Sequence, residues 1–517
     1  MSGGTAASVT ADAPRRTVLF HGRSALAIAF ALGAATVAGF APMYLFPLPL
    51  ATLAVLMLQW RHAQTPRHAA QLGWFFGLGF FLTGVSWVYV SLHTFGAMPA
   101  PAAAFVTLLF CAYLALFPAA AGYLAGMLPA RAAVKYGLLI PVAWAALEWV
   151  RGWLFTGFPW LALGYSQIPM SPLAGYAPVL GIGGVTLATA ITAGLLMTLM
   201  ARAPDRTRLT RHPALYGLLL LWVCGYALQQ VEWTRPSGAP VSVSLLQGNI
   251  AQDLKWQPDH VRTTLDTYRR FALESRSRLI VLPETALPLF LRDVPEDYLA
   301  QLAAHARDNG GDILIGVPEG SPSGAYFNSV VSLGTAPGQA YRKRHLVPFG
   351  EFIPLRPVLG WIVERLAIPL QDFSRGDENP RPLAVGGQRV AVNICYEDAF
   401  GEEIIRQLPA ATLLVNVSNV AWFGRSIAPY QHLQISQARA LETGRYMLRA
   451  TNTGMTAIVD PHGDVAALAP QFSPATVTHD VQGYAGSTPY VRWGNYALLA
   501  LCALLAGIGY IVDRTRR

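Results

Sequence analysis

Eight stretches of this chain are each apolar over nearly the length a helix needs to cross a hydrocarbon core, roughly 20 residues. They run Ser24–Ala41, Tyr44–Trp60, Leu72–Leu92, Pro101–Met127, Tyr136–Trp153, Pro172–Met200, Ala214–Gln229 and Tyr496–Val512. They also set the composition: of 517 residues, 53% are hydrophobic and only 13% charged, where a soluble protein carries about 25% charge. A signal peptide is the competing reading of the first stretch, but the apolar runs simply continue. The chain reads as a polytopic α-helical bundle of eight transmembrane helices.

The net charge of +9 could suggest a nucleic-acid partner. Its placement argues for topology instead. Arg61 and Arg67, Arg131 and Lys135, and Arg202, Arg206, Arg208 and Arg211 fall in alternate loops, and Arg514, Arg516 and Arg517 in the tail. The intervening loops Pro42–Met43 and His93–Pro99 carry no Lys or Arg. Arg151 is the exception, at an outer helix end where it could snorkel. No basic tract is interleaved with stacking aromatics, so no nucleic acid is expected. The asymmetry puts both termini inside and residues 239–486 outside the cytoplasm. The expected organisation is an inner tail 1–23, seven helices over 24–230, an outer domain 239–486, a last helix 496–512 and an inner tail 513–517.

Residues 239–486 have a different texture. Short β-branched runs alternate with amphipathic helical patterns, as in a layered α/β domain. Strands are expected at Val241–Leu246, Leu279–Leu282, Asp312–Val317, Phe327–Leu333, Gln339–Lys343, Val390–Ile394, Thr412–Val417, Tyr446–Thr451 and Thr456–Val459. Helices are expected at Asp259–Arg276, Tyr298–Asp308, Gly401–Gln407 and Pro429–Thr443. The tract Val358–Leu370 is very apolar but too short to span. It is a buried core helix or, the reading preferred for its Trp361, an arm or lid dipping into the membrane interface. In the outer loop Phe155–Pro172, Trp160 and Tyr165 read as an interfacial aromatic belt, with a lipid-facing wall of a substrate entrance as the other reading.

Three reactive groups follow strands in this domain: Glu284, Lys343 and Cys395. Of the four cysteines, Cys111, Cys224 and Cys502 lie in apolar runs, where a thiol packs as a small hydrophobe. Only Cys395 lies in polar sequence, at a turn that opens a helical pattern, where N–H groups would lower its pKa. Groups beyond strand ends converge on one crevice. There a carboxylate can act as general base, a thiol as nucleophile and an ammonium as oxyanion stabiliser. Taken singly, each residue is as well explained as a turn, surface or packing residue. The local sequences change that balance.

Leu282-Pro283-Glu284-Thr285, Arg342-Lys343-Arg344-His345-Leu346-Val347-Pro348-Phe349-Gly350-Glu351, Ile394-Cys395-Tyr396-Glu397-Asp398 and Asn416-Val417-Ser418-Asn419-Val420-Ala421-Trp422-Phe423-Gly424 resemble the nitrilase (carbon–nitrogen hydrolase) superfamily. So do Gln431-His432-Leu433 and Ala438–Arg445. With the surrounding helices, the chain resembles the apolipoprotein N-acyltransferase family within it. The resemblance implies an αββα sandwich and a Glu284–Lys343–Cys395 triad. It implies supporting roles for Glu351, Tyr396 and Glu397, the two carboxylates fixing the Lys343 ammonium. Trp256 matches a position near the substrate entrance. Asn328 matches a motif residue that is otherwise a satisfied core amide, and Trp422 and Phe423 either line the acyl site or pack. The family pattern has an acid where Val420 stands, which puts any carboxylate role there in doubt.

The implied reaction is ping-pong. A glycerophospholipid donates its acyl chain to Cys395, and the α-amino group of a diacylglyceryl-cysteine apolipoprotein accepts it. Metal and cofactor are not needed. The implied setting is a bacterial inner membrane, with the catalytic domain periplasmic, among membrane lipids, and the protein a monomer. Two other functions compete: a membrane-anchored amidase acting on a small amide, and a transporter with a non-catalytic outer domain. Against the transporter, the apolar runs hold few ionisable residues. Glu148 and Arg151 are the main ones, read as an i,i+3 pair at the interface.

Overall fold

The computed structural model describes residues 22–201, 212–320, 324–336, 338–354 and 372–515. The tract Val358–Leu370, Arg15, Arg16, the basic residues between 202 and 211, and Arg516 and Arg517 lie outside the described residues. Helices occur at all eight expected apolar stretches. Five are long and apolar enough to cross a membrane: Gly22–Gly39, Ala100–Met127, Ala132–Arg151, Pro172–Met200 and Asn495–Arg514. A sixth arises if Pro66–Val85 and Val88–Phe95, bent by 55° at their junction, form one span. Pro47–His62 and Pro213–Gln229 are 16 and 17 residues long.

Local chemistry sets several of these helix ends. Thr65 caps Pro66–Val85 by accepting the His68 N–H at 3.1 Å, and Pro66 takes the first helical position, where its missing N–H costs nothing. Glycine sets the helix spacing. A Cβ on Gly33 would stand 1.9 Å from the Phe76 carbonyl oxygen, and one on Gly79 would stand 2.1 Å from that of Phe30. Helices Gly22–Thr36 and Pro66–Val85 thus touch backbone to backbone through small residues, as is usual where no hydrophobic effect drives association.

The α/β domain is built on two six-stranded sheets packed face to face. The first has the order Ala475–Val481, Val241–Gln247, Leu279–Val281, Asp312–Gly320, Tyr326–Gly334, Ala340–Arg342. The second has the order Val465–Leu468, Ala457–Val459, Met447–Thr451, Leu413–Ser418, Gln388–Ile394, Leu383–Val385. Three strands in each run parallel, beginning at Val241, Leu279 and Asp312, and at Gln388, Leu413 and Met447. Val243, Leu245, Val281 and Leu314 from one sheet meet Val392, Ile394, Val415 and Leu448 from the other in a common core. Pro258–Glu274 and Glu296–Asp308 cover the outside of the first sheet. Ala428–Thr443 covers the second, completing the αββα order.

That last helix joins the domain to the bundle. All of its residues but Tyr430 are buried: Leu433 and Ala440 face the sheet, and Ile435, Ala438 and Leu441 face Val37, Phe40, Trp87 and Trp160. Three glutamines, three residues apart, reach across to bundle loops. Gln431 accepts the Trp160 indole N–H at 2.8 Å and that of Trp87 at 3.2 Å. Gln434 accepts the Ala41 N–H at 3.0 Å and donates to the Ile168 carbonyl at 2.9 Å. Gln437 accepts the Tyr44 hydroxyl at 3.3 Å.

The loop after Ile140–Arg151 therefore departs from the sequence expectation. Trp160 and Tyr165 are each 1% exposed, so they form no interfacial belt; they pack under the catalytic domain. Arg151 does not snorkel. It is 2% exposed and donates 2.7 Å hydrogen bonds to the Phe158 and Trp160 carbonyls. Glu148 lies 3.9 Å from it and accepts the Leu163 N–H at 3.0 Å, so the i,i+3 pair shapes the loop from within.

Candidate active site

Glu284 and Lys343 come from the first sheet and Cys395 from the second, so the site lies where the ends of the two sheets meet. Each group is delivered by a short irregular segment just past a strand: Leu279–Val281, Ala340–Arg342 and Gln388–Ile394 respectively. Cys395 has φ +54° and Thr285, next to Glu284, has φ +49°. Non-glycine residues in the left-handed region cost about 1–3 kcal/mol, which the surrounding structure must supply.

Lys343 is the electrostatic centre. It is 1% exposed, with its Nζ donating to Glu351 Oε1 at 2.8 Å and lying 3.6 Å from Glu284 Oε1. Burial alone would lower its pKa. Glu351, Glu284 and Cys395 more than offset this, and the ammonium titrates well above the ordinary lysine range. Asn328 serves both acids, its amide donating to Glu284 at 2.8 Å and to Glu351 at 3.1 Å. The Asn419 backbone N–H holds the other Glu284 oxygen at 2.8 Å, and the Val347 N–H holds the other Glu351 oxygen at 2.9 Å. The second carboxylate expected to fix Lys343 is in place in Glu351.

Glu397 has a different task from the one expected. Its carboxylate accepts backbone N–H groups from Arg344 (2.7 Å), His345 (3.0 Å) and Ile394 (2.7 Å), and the Tyr341 hydroxyl at 2.9 Å. It ties the lysine loop to the nucleophile turn, and its hydrogen bonds are not to the ammonium.

Cys395 is half-buried. The turn that follows is 3₁₀, Cys395–Ala399, and the α-helix after it is only Gly401–Ile404. The expected helix terminus is thus a single turn, and the thiol pKa is pushed up to about 12, not down. Burial is the main cause, with Glu284 adding to it and Lys343 opposing it. A protonated thiol needs a base to become a nucleophile, and Glu284 is the carboxylate whose charge acts most strongly on it. The Cys395 carbonyl accepts from Asn416 Nδ2 and His432 Nε2, both at 3.2 Å. His432 is held neutral, its pKa well below normal through burial and then Arg449. The acceptor is a carbonyl, so the Nε2–H tautomer is the one present. Arg449 donates to Asn416 Oδ1 at 2.7 Å and lies 3.5 Å from Asp398.

Sequence reading missed this supporting layer. Its signal was a buried arginine in the otherwise apolar strand Met447–Thr451. Lys255 was also missed. It is 2% exposed, donates to the Glu284 carbonyl at 3.3 Å, and has its pKa lowered to about 8 chiefly by burial. The neighbouring Trp256 is half-buried.

Tyr396, Trp422 and Phe423 face the bundle. The Tyr396 hydroxyl donates to the Gly157 carbonyl at 3.0 Å, and its ring stacks with Phe158 and Trp160. The Trp422 carbonyl accepts the Ser91 hydroxyl at 2.8 Å, and Phe423 meets Trp87 edge-on with centroids 4.6 Å apart. Val420 is 1% exposed, so a carboxylate at that position would be desolvated. Among the described residues, no three His, Cys, Asp or Glu side chains are grouped to hold a metal ion.

Residues 32–195 match the family described as apolipoprotein N-acyltransferase N-terminal domain, and residues 242–490 match carbon-nitrogen hydrolase. Two relatives are named apolipoprotein N-acyltransferase. That of Nitrosomonas europaea is 55% identical, covering 94% of this chain and 97% of its own length. That of Chromobacterium violaceum is 46% identical, covering 99% and 97%. A solved amidase from Nesterenkonia sp. is 18% identical with a TM-score of 0.37, covering 51% of this chain and 97% of its own.

Proposed function

Because the chain belongs to the apolipoprotein N-acyltransferase family, we propose that its Glu284–Lys343–Cys395 site transfers an acyl chain from a glycerophospholipid to the α-amino group of a diacylglyceryl-cysteine apolipoprotein. The observation that carries this reading is the meeting of a base, a cation and a thiol beside a helix bundle that the catalytic domain grips through Ala428–Thr443. A domain acting on a small soluble amide has no use for such a grip. A domain whose two substrates are both anchored in lipid does.

In the first half-reaction Glu284 takes the Cys395 proton and the thiolate attacks the ester carbonyl. The tetrahedral oxyanion forms beside the Lys343 ammonium, whose position Glu351 fixes. Collapse expels the lysophospholipid alkoxide, which takes the proton back from Glu284 and leaves a thioester on Cys395. In the second half-reaction Glu284 accepts a proton from the incoming amine. The oxyanion forms at the same place, the thiolate leaves and is reprotonated, and the amide product departs. Trp256, next to Lys255 at the Glu284 end of the site, stands at the substrate entrance. Tyr396, Trp422 and Phe423 present the site to the bundle.

All eight apolar helices cross the membrane in this reading, and Lys and Arg gather on the side of both termini. The catalytic domain then faces the periplasm and the protein works as a monomer. A direct test offers the purified protein a phospholipid with a labelled acyl chain together with a diacylated lipopeptide. Label on the lipopeptide amine is expected. Label released to water, with none on the lipopeptide, would overturn the transfer and favour a hydrolase.

A further inference from the structure

A second cavity lies away from the catalytic trio. It encloses about 440 Å³ between the bundle and the catalytic domain, and Glu284, Lys343 and Cys395 do not line it. Its bundle side is apolar and aromatic: Trp149 and Trp153 from the end of Ile140–Arg151 and the loop after it, Ile182, and Leu498 from the last helix. Its domain side carries four guanidinium groups: Arg439, which pairs with Glu442 at 2.9 Å, and Arg344, Arg375 and Arg406.

The last three charges are only lightly neutralised. Arg344 and Arg406 share the Glu378 backbone carbonyl, at 2.9 and 3.3 Å. The Glu378 carboxylate is 3.7 Å from Arg344 and 85% exposed, where such a pair contributes little. The acids on the cavity wall have partners of their own. Glu402 accepts the Asn495 N–H at 2.7 Å, Glu403 accepts from His345 at 3.0 Å if the ring carries its proton on Nδ1, and Glu148 accepts from Leu163 and Thr186. One buried donor on the wall nevertheless lacks a protein partner: Arg439 Nε, on a side chain 1% exposed. Buried donors of this kind are rarely left unmatched.

The depth of the cavity is marked by aromatics. Trp153 is 53% exposed, and Trp493 and Tyr496, flanking the lining residue Asn495, are 64% and 79% exposed. Exposed Trp and Tyr at the ends of apolar helices sit at the headgroup level. Guanidinium groups bind phosphate through paired N–H donors.

We propose that this cavity holds the phosphate-bearing headgroup and glycerol of a resident phospholipid, anionic overall, with its chains lying along the apolar wall. The site rests on the membrane placement above and is separate from the acyl-donor position. Its wall includes Arg344 and His345, whose N–H groups bind Glu397, and Ala399 to Glu403, which follow the nucleophile turn. The lipid therefore braces, from the membrane side, the two segments that carry Lys343 and Cys395.

The test reconstitutes the full chain in bilayer discs of equimolar phosphatidylglycerol and phosphatidylcholine, extracts it gently and weighs it intact. One retained phosphatidylglycerol per chain is expected, with retention reduced tenfold or more in the Arg375→Gln/Arg406→Gln double variant. Both arginines are exposed, so folding is not at stake. Equal retention in the double variant would overturn the site. Displacement of the lipid by millimolar glycerol 3-phosphate would overturn the lipid and leave a soluble-phosphate site. The same preparation is assayed for a thioester on Cys395. Protein that keeps the lipid but forms no thioester would leave this site standing and sink the transfer mechanism; protein that forms the thioester but keeps no lipid would do the reverse.

Discussion

Glu397, two residues beyond the nucleophile, accepts the backbone N–H of Arg344, one residue beyond the lysine, at 2.7 Å. The two strands that deliver Cys395 and Lys343 belong to different sheets. Together with the His345–Glu403 contact at 3.0 Å, this carboxylate registers one segment against the other.

Glu397→Gln keeps an acceptor for the Arg344 and His345 N–H groups but turns an amide donor toward the Ile394 N–H. Hydrogen bonds to charged groups contribute about 1.5–3 kcal/mol each, so a loss of about 3 kcal/mol is expected. Displacing the nucleophile turn should slow thioester formation about 10²-fold. Thermal unfolding in detergent and single-turnover labelling check the two effects.

Glu284→Gln removes the base while the thiol stays buried. Wild-type Cys395 should react with a small alkylating agent near neutral pH. The variant should react about 10²–10⁴-fold more slowly there. Its rate should climb with pH toward a thiol value still raised by burial but no longer raised by the Glu284 charge, with no plateau near neutrality. An unchanged pH profile would remove Glu284 from the role of base.

Lys343→Met leaves Glu284 and Glu351 facing one Asn328 amide with no cation between them. Breaking a buried ion pair from one side costs about 3–5 kcal/mol. The pH dependence also has a definite sign. The folded-state pKa of Lys343 is raised, so its contribution to stability is complete below the unfolded lysine value of about 10.4 and is lost as pH rises beyond it. Alkaline unfolding curves should show that decline in wild type and lack it in Lys343→Met.

Gln431→Leu tests how the domain is seated. Trp87 keeps a second acceptor in the Gly84 carbonyl at 3.0 Å, but Trp160 loses the acceptor it has in Gln431. One orphaned buried N–H costs about 1–3 kcal/mol. Were Trp160 instead in a lipid-facing belt, the substitution would fall within about 0.5 kcal/mol of wild type. Thermal unfolding of the two proteins separates these outcomes.

The fold was legible wherever burial was one-sided or complete. The apolar runs, the central strands of both sheets and the amphipathic helix Pro258–Glu274 follow from the hydrophobic pattern; which strands run parallel does not. Ala475–Val481 and Val465–Leu468 escaped because their faces are largely exposed, so hydrophobic pattern says little about them. The convergence of Glu284, Lys343 and Cys395 was readable because each ends a recognisable strand inside a specific motif. The roles of neighbours were not, because they depend on geometry across the chain. Glu397 holds backbone rather than the ammonium, and Trp160 meets a glutamine 271 positions away. A loop rich in Trp and Tyr looks the same in sequence whether lipid or protein covers it.

The most direct measurement is the mass of the protein after incubation with a phospholipid carrying a defined acyl chain, followed by peptide mapping. The expected result is one acyl group on Cys395, removed by hydroxylamine and absent in Cys395→Ala. No adduct on the wild type, or an equal adduct on Cys395→Ala, would contradict the mechanism.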